Sequence, residues 1–385
     1  MKINVFGSTG IIGIKTLNLI KNFFPNIKIN LMVANKNINL IHKQILIYQP
    51  KYVYLEDEEK SQLLKKKLTN SKTILISKNK LRQYLNNSKS NFTILAISGY
   101  NSLQYFEEII ENTDNFGIVS KEAIVSAGHL FKQLKIYNKT NLFPLDSEHF
   151  SLFNLLNNNF INNKIEKLYL TASGGPFLGR KFNTLKNVSF NEAKNHPKWN
   201  MGYKNSIDSA TLVNKCLEII EAHYLFNIPY NKIDILLHPQ SIVHSMILKN
   251  NYIYNMSLFK NDMSIPIINF LSISKNIKNN SKIVDKSLFY DFNEKFTFSK
   301  IKNAEFPIYK YFKKIDKKNP TNIIKFNIAN EYAVNLYKNK KINYTDIYKI
   351  IKKIASLNLY YSTKNIKDII KYHELFENYI YKKLS

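Results

Sequence analysis

The strongest constraint on this chain is a regular alternation of strand-like and helix-like segments that starts at the second residue. KINVFG has the pattern of a strand, IIGIKTLNLIKNF of an amphipathic helix, IKINLMVA of a strand and INLIHKQILIYQ of a helix. YVYL, SQLLKKKL, TILIS, KLRQYL, FTILAIS, SLQYFEEII and FGIVS continue the alternation. Strands this uniformly apolar, separated by helices, imply a parallel sheet covered on both faces. At 385 residues the chain exceeds a single core, and 44% hydrophobic residues supply enough apolar surface for two or three. From KIEKLYLTAS onward the loops lengthen, and most histidines and polar motifs fall between 146 and 250. Residues 271–300 are polar and weakly periodic, and beyond them the periodicity is helical with little strand signal. The expected class is α/β with segments 1–145 (parallel sheet), 146–270 (central α/β), 271–300 (linker) and 301–385 (α-helical).

Glycine is scarce, with ten residues in the whole chain, so its positions carry information. Gly7, Gly10 and Gly13 lie in GSTGIIG, at the junction of the first strand and first helix. A glycine turn there lets backbone N–H groups and a helix N-terminus meet a pyrophosphate, and GxxGxxG is a variant of the dinucleotide fingerprint. The second strand ends in Asn35-Lys36-Asn37. An NAD site usually has an acid at that point, so Lys36 favours the 2′-phosphate of NADP. Ser98-Gly99 closes a later apolar strand at the same carboxyl edge, where a nicotinamide would lie.

LFPLDSEHF puts Asp146 and Glu148 on one face if the segment is extended. SIDSATLVNKCLEIIEAHYLF has the pattern of one helix capped by Asp208 or Ser209, with Asn214, Lys215 and Glu218 on a polar stripe. If these acids meet, three carboxylates without a thiolate cluster specify a hard cation such as Mg²⁺ or Mn²⁺; otherwise they are two acidic surfaces. Ser173, Gly174 and Gly175 in TASGGPF, with Ser209, Asn214 and Lys215, suit a phosphomonoester. HPKWNMG holds the only tryptophan, Trp199, between His196 and Gly202, and reads as a lid or as a packed loop with a buried indole. His238 and His244 in LLHPQSIVHSM fit a structural role as well as a substrate contact.

Together, GSTG-x-x-G, LDSEH, TASGGPF, HPKWNMG, SIDSATLVNKCLE, HPQSIVHSM and NIANE resemble the 1-deoxy-D-xylulose-5-phosphate reductoisomerases in order and spacing over nearly the whole chain. The resemblance implies an N-terminal Rossmann-like NADPH-binding domain, a central catalytic domain, a C-terminal helical domain and a homodimer. It implies isomerisation and reduction of the phosphosugar 1-deoxy-D-xylulose 5-phosphate to 2-C-methyl-D-erythritol 4-phosphate, in non-mevalonate isoprenoid synthesis. It makes Asp146, Glu148 and Glu218 the ligands of Mg²⁺ or Mn²⁺, with Glu221 nearby. Ser147, Ser173, Ser209, Asn214 and Lys215 become substrate contacts, together with Glu148, Glu218, His196 and Lys121. Of these, Lys121, Glu148, His196 and Lys215 are expected to take part in the chemistry. NADPH contacts fall to Gly7, Ser8, Thr9, Gly10, Ile12, Asn35, Lys36, Asn37, Ser120, Glu122 and Gly202, and the lid to His196, Trp199 and Met201. The chain departs from the family pattern at Asn35, Ser120, Cys216 and Asn261, none of which is an expected metal ligand or phosphate donor.

Other NADP enzymes fit less well. A semialdehyde dehydrogenase needs a thiolate, and the single cysteine, Cys216, lies in the middle of a helical pattern. Tyr348 and Lys352 match the Tyr-x-x-x-Lys of short-chain epimerases, but a chain with 25 tyrosines and abundant lysine contains such matches by chance. A scaffold that has lost catalysis would not need a complete set of acids and phosphate donors. One cysteine, no leader-like start and no long apolar run point to a cytoplasmic protein without a membrane segment.

The formal charge of +28 invites a nucleic-acid reading, yet of 56 basic residues only Arg82 and Arg180 are arginines. Phosphate and base-edge recognition favours the bidentate guanidinium. Lysine scattered among Asn, Ile and Tyr instead reflects a biased amino-acid supply on solvated faces, and no specific nucleic-acid partner is expected. Duplex DNA should therefore bind weakly, without sequence preference, and should be released as salt approaches physiological levels. Gel retardation with specific and random duplexes at two salt concentrations checks this; sequence-selective binding that survives physiological salt would overturn it.

Overall fold

The computed structural model describes residues 1–384 apart from 70, 132, 135–139, 157–164, 200 and 274–294. Most of the expected linker over 271–300 thus lies outside the described residues. The chain forms two compact units, one built from Met1–Ser120, Phe131–Phe150 and a stretch from Asp262, the other from Lys121–Leu130, Ser151–Asn261 and the C-terminal part.

In the first unit the expected alternation becomes β1 (Lys2–Phe6), α1 (Ile11–Phe23), β2 (Lys28–Ala34), α2 (Ile38–Tyr48), β3 (Tyr52–Leu55), α3 (Glu58–Lys67), β4 (Ile74–Leu75), α4 (Lys78–Asn87), β5 (Ser90–Leu95), α5 (Phe106–Glu111), β6 (Thr113–Ile118) and β7 (Asn141–Pro144). The seven strands lie in the order β4-β3-β2-β1-β5-β6-β7 with every pairing parallel. The chain leaves β1 in one direction for β2 to β4 and returns on its other side as β5, so β1 and β5 flank the topological switch point where such sheets bind ligands. TILIS contracts to two residues because β4 is an edge, where Ile74 is 50% exposed. Ile3, Val5, Phe92 and Ile94 of the two central strands are fully buried. A helix from outside the N-terminal stretch completes this core: in Ser264–Ser272, Phe270 packs edge-on against Phe92 and Phe143, at ring separations of 5.4 and 5.6 Å. This corrects the boundary expected at 270, because the buried apolar face of that helix belongs to the sheet.

The second unit opens with α6 (Lys121–Ala127), in which every residue after Lys121 is buried. Its five-stranded sheet has the order β11-β10-β8-β9-β12, from β8 (Lys167–Ala172), β9 (Ile233–Leu237), β10 (Val243–Lys249), β11 (Tyr252–Leu258) and β12 (Ser299–Lys300). β8 and β9 are parallel and the remaining pairings antiparallel. Among the described residues the other helices in chain order are α7 (Ser147–Leu156, whose first residues belong to the first unit), α8 (Phe190–Lys194), α9 (Tyr203–Ala210), α10 (Val213–Phe226), α11 (Ser264–Ser272, the helix under the first sheet), α12 (Pro307–Lys314), α13 (Pro320–Lys338), α14 (Asp346–Ala355) and α15 (Ile366–Leu384). The C-terminal region is helical as expected, but it shares one unit with the central segment rather than standing apart. The reason lies in α13, which is buried around most of its circumference and so needs neighbours on all sides. No helix among the described residues is long and apolar enough to cross a membrane.

His373 of α15 is fully buried, with Nε2 3.0 Å from Ser126 Oγ of α6. Burial pushes its imidazole down to about 3, against a small opposing pull from Glu122. The folded state therefore keeps this ring neutral while the unfolded chain takes up a proton near pH 6.5. Its contribution is present above that pH and is lost as pH falls from about 6.5 toward about 3, at up to about 1.4 kcal/mol per unit. His373→Gln should melt with a shallower pH dependence than the parent between about pH 6.5 and 4. Thermal melts across that range check it, and parallel curves would contradict it.

Candidate active site

The first unit contributes the β1–α1 turn. Gly7 has φ +81°, and the N–H groups of Gly7 and Ser8 donate to Val33 O at 2.8 and 3.0 Å. A Cβ on Gly7 would lie 2.4 Å from Ala96 O, and one on Gly13 would lie 2.2 Å from Gly7 O, so neither position accepts a side chain without backbone movement. α1 begins after Gly10 with no side-chain cap, which leaves its first-turn N–H groups for an anion at the switch point. Thr9, Gly10 and Ile12 are at least partly exposed around it, and Lys36 is exposed beyond the end of β2.

Other expected cofactor residues have structural tasks. Ser8 is buried and its carbonyl accepts from Gln44 Nε2 at 2.7 Å. Asn37 caps α2, accepting from Leu40 N at 3.1 Å, while Asn35 beside it is exposed. The Ser120 hydroxyl lies 3.0 Å from Ser102 Oγ and donates to Gly99 O at 3.3 Å.

Asp146 and Glu148 do not lie on an extended segment. β7 ends at Pro144, and α7 begins at Ser147. Asp146 Oδ1 accepts from the N–H groups of Glu148 and His149, at 3.1 and 3.4 Å, and from His149 Nδ1 at 2.9 Å. The orphan donors of the first turn need such an acceptor, and this wins over strand geometry. Ser147 Oγ donates to Glu148 Oε2 at 2.6 Å, so both carboxylates have fixed orientations.

In the second unit Ser173 follows β8. Its Oγ lies 3.5 Å from Ser209 Oγ and 2.8 Å from His196 Nε2. His196 Nδ1 accepts from Lys198 N and Trp199 N, at 3.1 and 2.9 Å, which assigns the ring proton to Nε2 and makes the imidazole the donor to Ser173. Trp199 is half-buried, edge-on to His244 at 6.3 Å, rather than enclosed. Met201 is partly exposed, and Gly202 is exposed and opens α9.

The single helix expected over SIDSATLVNKCLE is two, α9 and α10, broken where Leu212 adopts φ +65°. Asp208 and Ser209 sit in the last turn of α9 and cap nothing, because Asp208 is engaged by Lys204 and Asn330. The polar stripe of α10 forms as expected. Glu218 has no solvent exposure, and Lys215 Nζ donates to its Oε2 at 2.7 Å while Asn214 Nδ2 donates to Oε1. Lys121 of α6 joins it, 3.2 Å from Glu218 Oε1 and 3.7 Å from Glu221 Oε2. Glu122 turns instead toward Lys204, at 3.2 Å.

His238 and His244 take the structural reading. His238 is buried, stacked on Phe298 at 4.6 Å, with Nδ1 3.0 Å from Thr297 O. His244 stacks on Phe259 at 3.9 Å. Cys216 is buried, and burial pushes its thiol well above the ordinary value, so it supplies no thiolate. Sequence reasoning missed His149 and the Lys204–Asp208–Asn330 contacts. The i, i+3 spacing of Asp146 and His149 was a usable signal, whereas Asn330 is 122 residues from Asp208.

Family models for 1-deoxy-D-xylulose 5-phosphate reductoisomerase match residues 3–128, and models of its C-terminal domains match 142–226 and 258–379. Relatives of that name from Pelagibacter ubique and Acetivibrio thermocellus are 37% and 36% identical, over 95% and 96% of this chain and 94% and 95% of theirs. A solved structure of the Zymomonas mobilis enzyme in complex with NADPH is 28% identical, with a TM-score of 0.84 over 98% of this chain and 97% of that one. A solved structure of DOX-P reductoisomerase in complex with NADPH, fosmidomycin and magnesium is 26% identical, with a TM-score of 0.86 over 100% of this chain and 99% of that one. On these grounds the chain belongs to the 1-deoxy-D-xylulose 5-phosphate reductoisomerase family.

Proposed function

We infer that the protein catalyses the NADPH- and divalent-metal-dependent isomerisation and reduction of 1-deoxy-D-xylulose 5-phosphate to 2-C-methyl-D-erythritol 4-phosphate. The observation that carries this reading is Glu218, a fully buried carboxylate on the helix that also bears Asn214 and Lys215, in a chain 37% identical to an enzyme of that name along nearly its whole length.

Asp146, Glu148 and Glu218 are proposed to hold the ion. All three offer hard oxygen donors, which suits Mg²⁺ or Mn²⁺. Glu218 already draws two ammonium groups, as a carboxylate arranged for cations does. A bound ion would supply Lewis acidity to neighbouring substrate oxygens. NADPH would supply hydride. The uncapped start of α1 and the Gly7–Gly13 turn fit its pyrophosphate, and Lys36 fits its 2′-phosphate.

Ser173, Ser209, Asn214 and Lys215 are proposed to grip the substrate phosphate, with Ser147 and His196 contacting the same molecule. Holding one end of the substrate fixes the other relative to the reacting groups, which keeps fragments together during carbon-skeleton rearrangement. Lys121, beside Glu218 and Glu221, supplies a proton-bearing cation at that end. The segment with His196, Trp199 and Met201 is proposed as the lid that excludes water. The functional unit is taken as a homodimer, as the resemblance implies; its mass in solution checks the dimer.

NADPH oxidation with 1-deoxy-D-xylulose 5-phosphate, with and without a divalent ion, tests the whole reading, and no turnover in either case would reject it. Glu218→Gln keeps the shape and removes the charge, so kcat should fall about a thousand-fold or more while NADPH affinity stays within about three-fold. Turnover at the parent rate would remove Glu218 from the metal set. The wild type should prefer NADPH over NADH, and Lys36→Ala should narrow that preference mainly through a higher KM for NADPH. An NADH preference in the wild type would refute the role of Lys36.

A further inference from the structure

The second unit contains a buried ionic cluster that the proposed chemistry does not use. Lys204 Nζ of α9 bridges Asp208 Oδ2, one turn on in the same helix, at 2.8 Å, and Glu122 Oε1 of α6 at 3.2 Å. The other oxygen of Asp208 accepts from Asn330 Nδ2 of α13 at 2.8 Å. Glu122, Asp208 and Asn330 are all buried, and Lys204 is mostly so. Three helices thus meet on the carboxylate of Asp208 and the ammonium group of Lys204. Although burial alone would pull Lys204 down, the carboxylates of Asp208, Glu122 and Glu331 hold it above its ordinary value and keep it charged.

α9 is short and lies between two functional features. It starts directly after Gly202, where the loop carrying His196 and Trp199 ends, and its last turn carries Ser209. Ser209 Oγ is 3.5 Å from Ser173 Oγ, and both residues are partly open to solvent. The fit there is close: a Cβ on Gly175 would sit 2.7 Å from Ala210 Cα and 3.0 Å from Ser209 O, so a small shift of α9 would change the phosphate wall. Eight residues of helix cannot hold such a position by their own hydrogen bonds.

Resting on the proposed function, we propose that Asp208, Lys204 and Asn330 are positioning residues for the substrate phosphate, fixing α9 so that Ser209 stands against Ser173. None of the three is among the residues proposed to contact the substrate. The shape of the phosphate wall would then depend on an amide from the distant NIANE segment.

The test is Asn330→Ala, which removes the α13 contact and leaves the Lys204–Asp208 pair in place. The KM for 1-deoxy-D-xylulose 5-phosphate and the dissociation constant of inorganic phosphate, measured by calorimetry, should both rise about ten-fold or more. kcat should change less than about three-fold and the KM for NADPH should stay unchanged, a split that a merely structural residue would not produce. A folded variant with unchanged phosphate affinity overturns the proposal, as does one that loses kcat alone. Should Asn330→Ala fail to fold, Asn330→Leu, which fills a similar volume without a donor for Asp208, is held to the same outcomes. An inactive wild type would instead sink the assigned reaction, and the calorimetric comparison would still decide the positioning role.

Discussion

A carboxylate with no access to water persists only where cations and donors meet it, and Glu218 is the group around which the second unit is organised. Lys215 and Asn214 reach it from its own helix, and Lys121 reaches it from α6. Removing one partner from a buried pair typically costs about 3–5 kcal/mol, so this point couples the two helices strongly. The same arrangement makes the site useful. Groups that neutralise Glu218 in the fold are of the kinds that bind phosphate and move protons, and they are set before any substrate arrives.

The break between α9 and α10 falls at Leu212, whose left-handed backbone ends one helix and starts the next. A continuous helix would carry Asp208 on as an ordinary member of a polar face. Instead Asp208 is drawn into Lys204 and Asn330, Thr211 Oγ1 bonds back to Ile207 O at 3.0 Å, and Leu212 takes a left-handed conformation that restarts the helix. The restart gives α10 its own N-terminal turn close in sequence to Ser209, with Asn214 and Lys215 in it. Phosphate-type donors from the end of one helix and the start of the next are thereby separated by only a few residues.

In the first unit the corresponding constraint is steric. Gly7 lets the β1 turn pass Ala96, and Gly13 lets α1 close on that turn, where no side chain fits; α1 starts after Gly10, which has no side chain to cap it, at the switch point. The residues around it divide into two groups. Thr9, Gly10, Ile12 and Lys36 are open, whereas Ser8 and Ser120 are buried and hold the backbone near them; Asn37 is exposed and caps α2. Ser120, a departure from the family pattern, is accommodated by hydrogen bonds to Ser102 and Gly99.

What the sequence determined by itself was local: the periodicity of strands and helices, the glycine turn after the first strand, and the i, i+4 stripe of Asn214 and Glu218, because each depends on residues a few positions apart. Its motifs, taken together, were also specific enough to identify the family. Tertiary structure decided what depends on distant partners. It turned Asp146 into the acceptor at a helix start, joined the C-terminal helices to the central segment, and brought α11 beneath the first sheet. It also matched Asp208 to Asn330 across 122 residues. Spacing cannot reveal such pairings, since a buried polar group settles on whichever donor the packed chain brings within reach, and that is known only once the chain has folded.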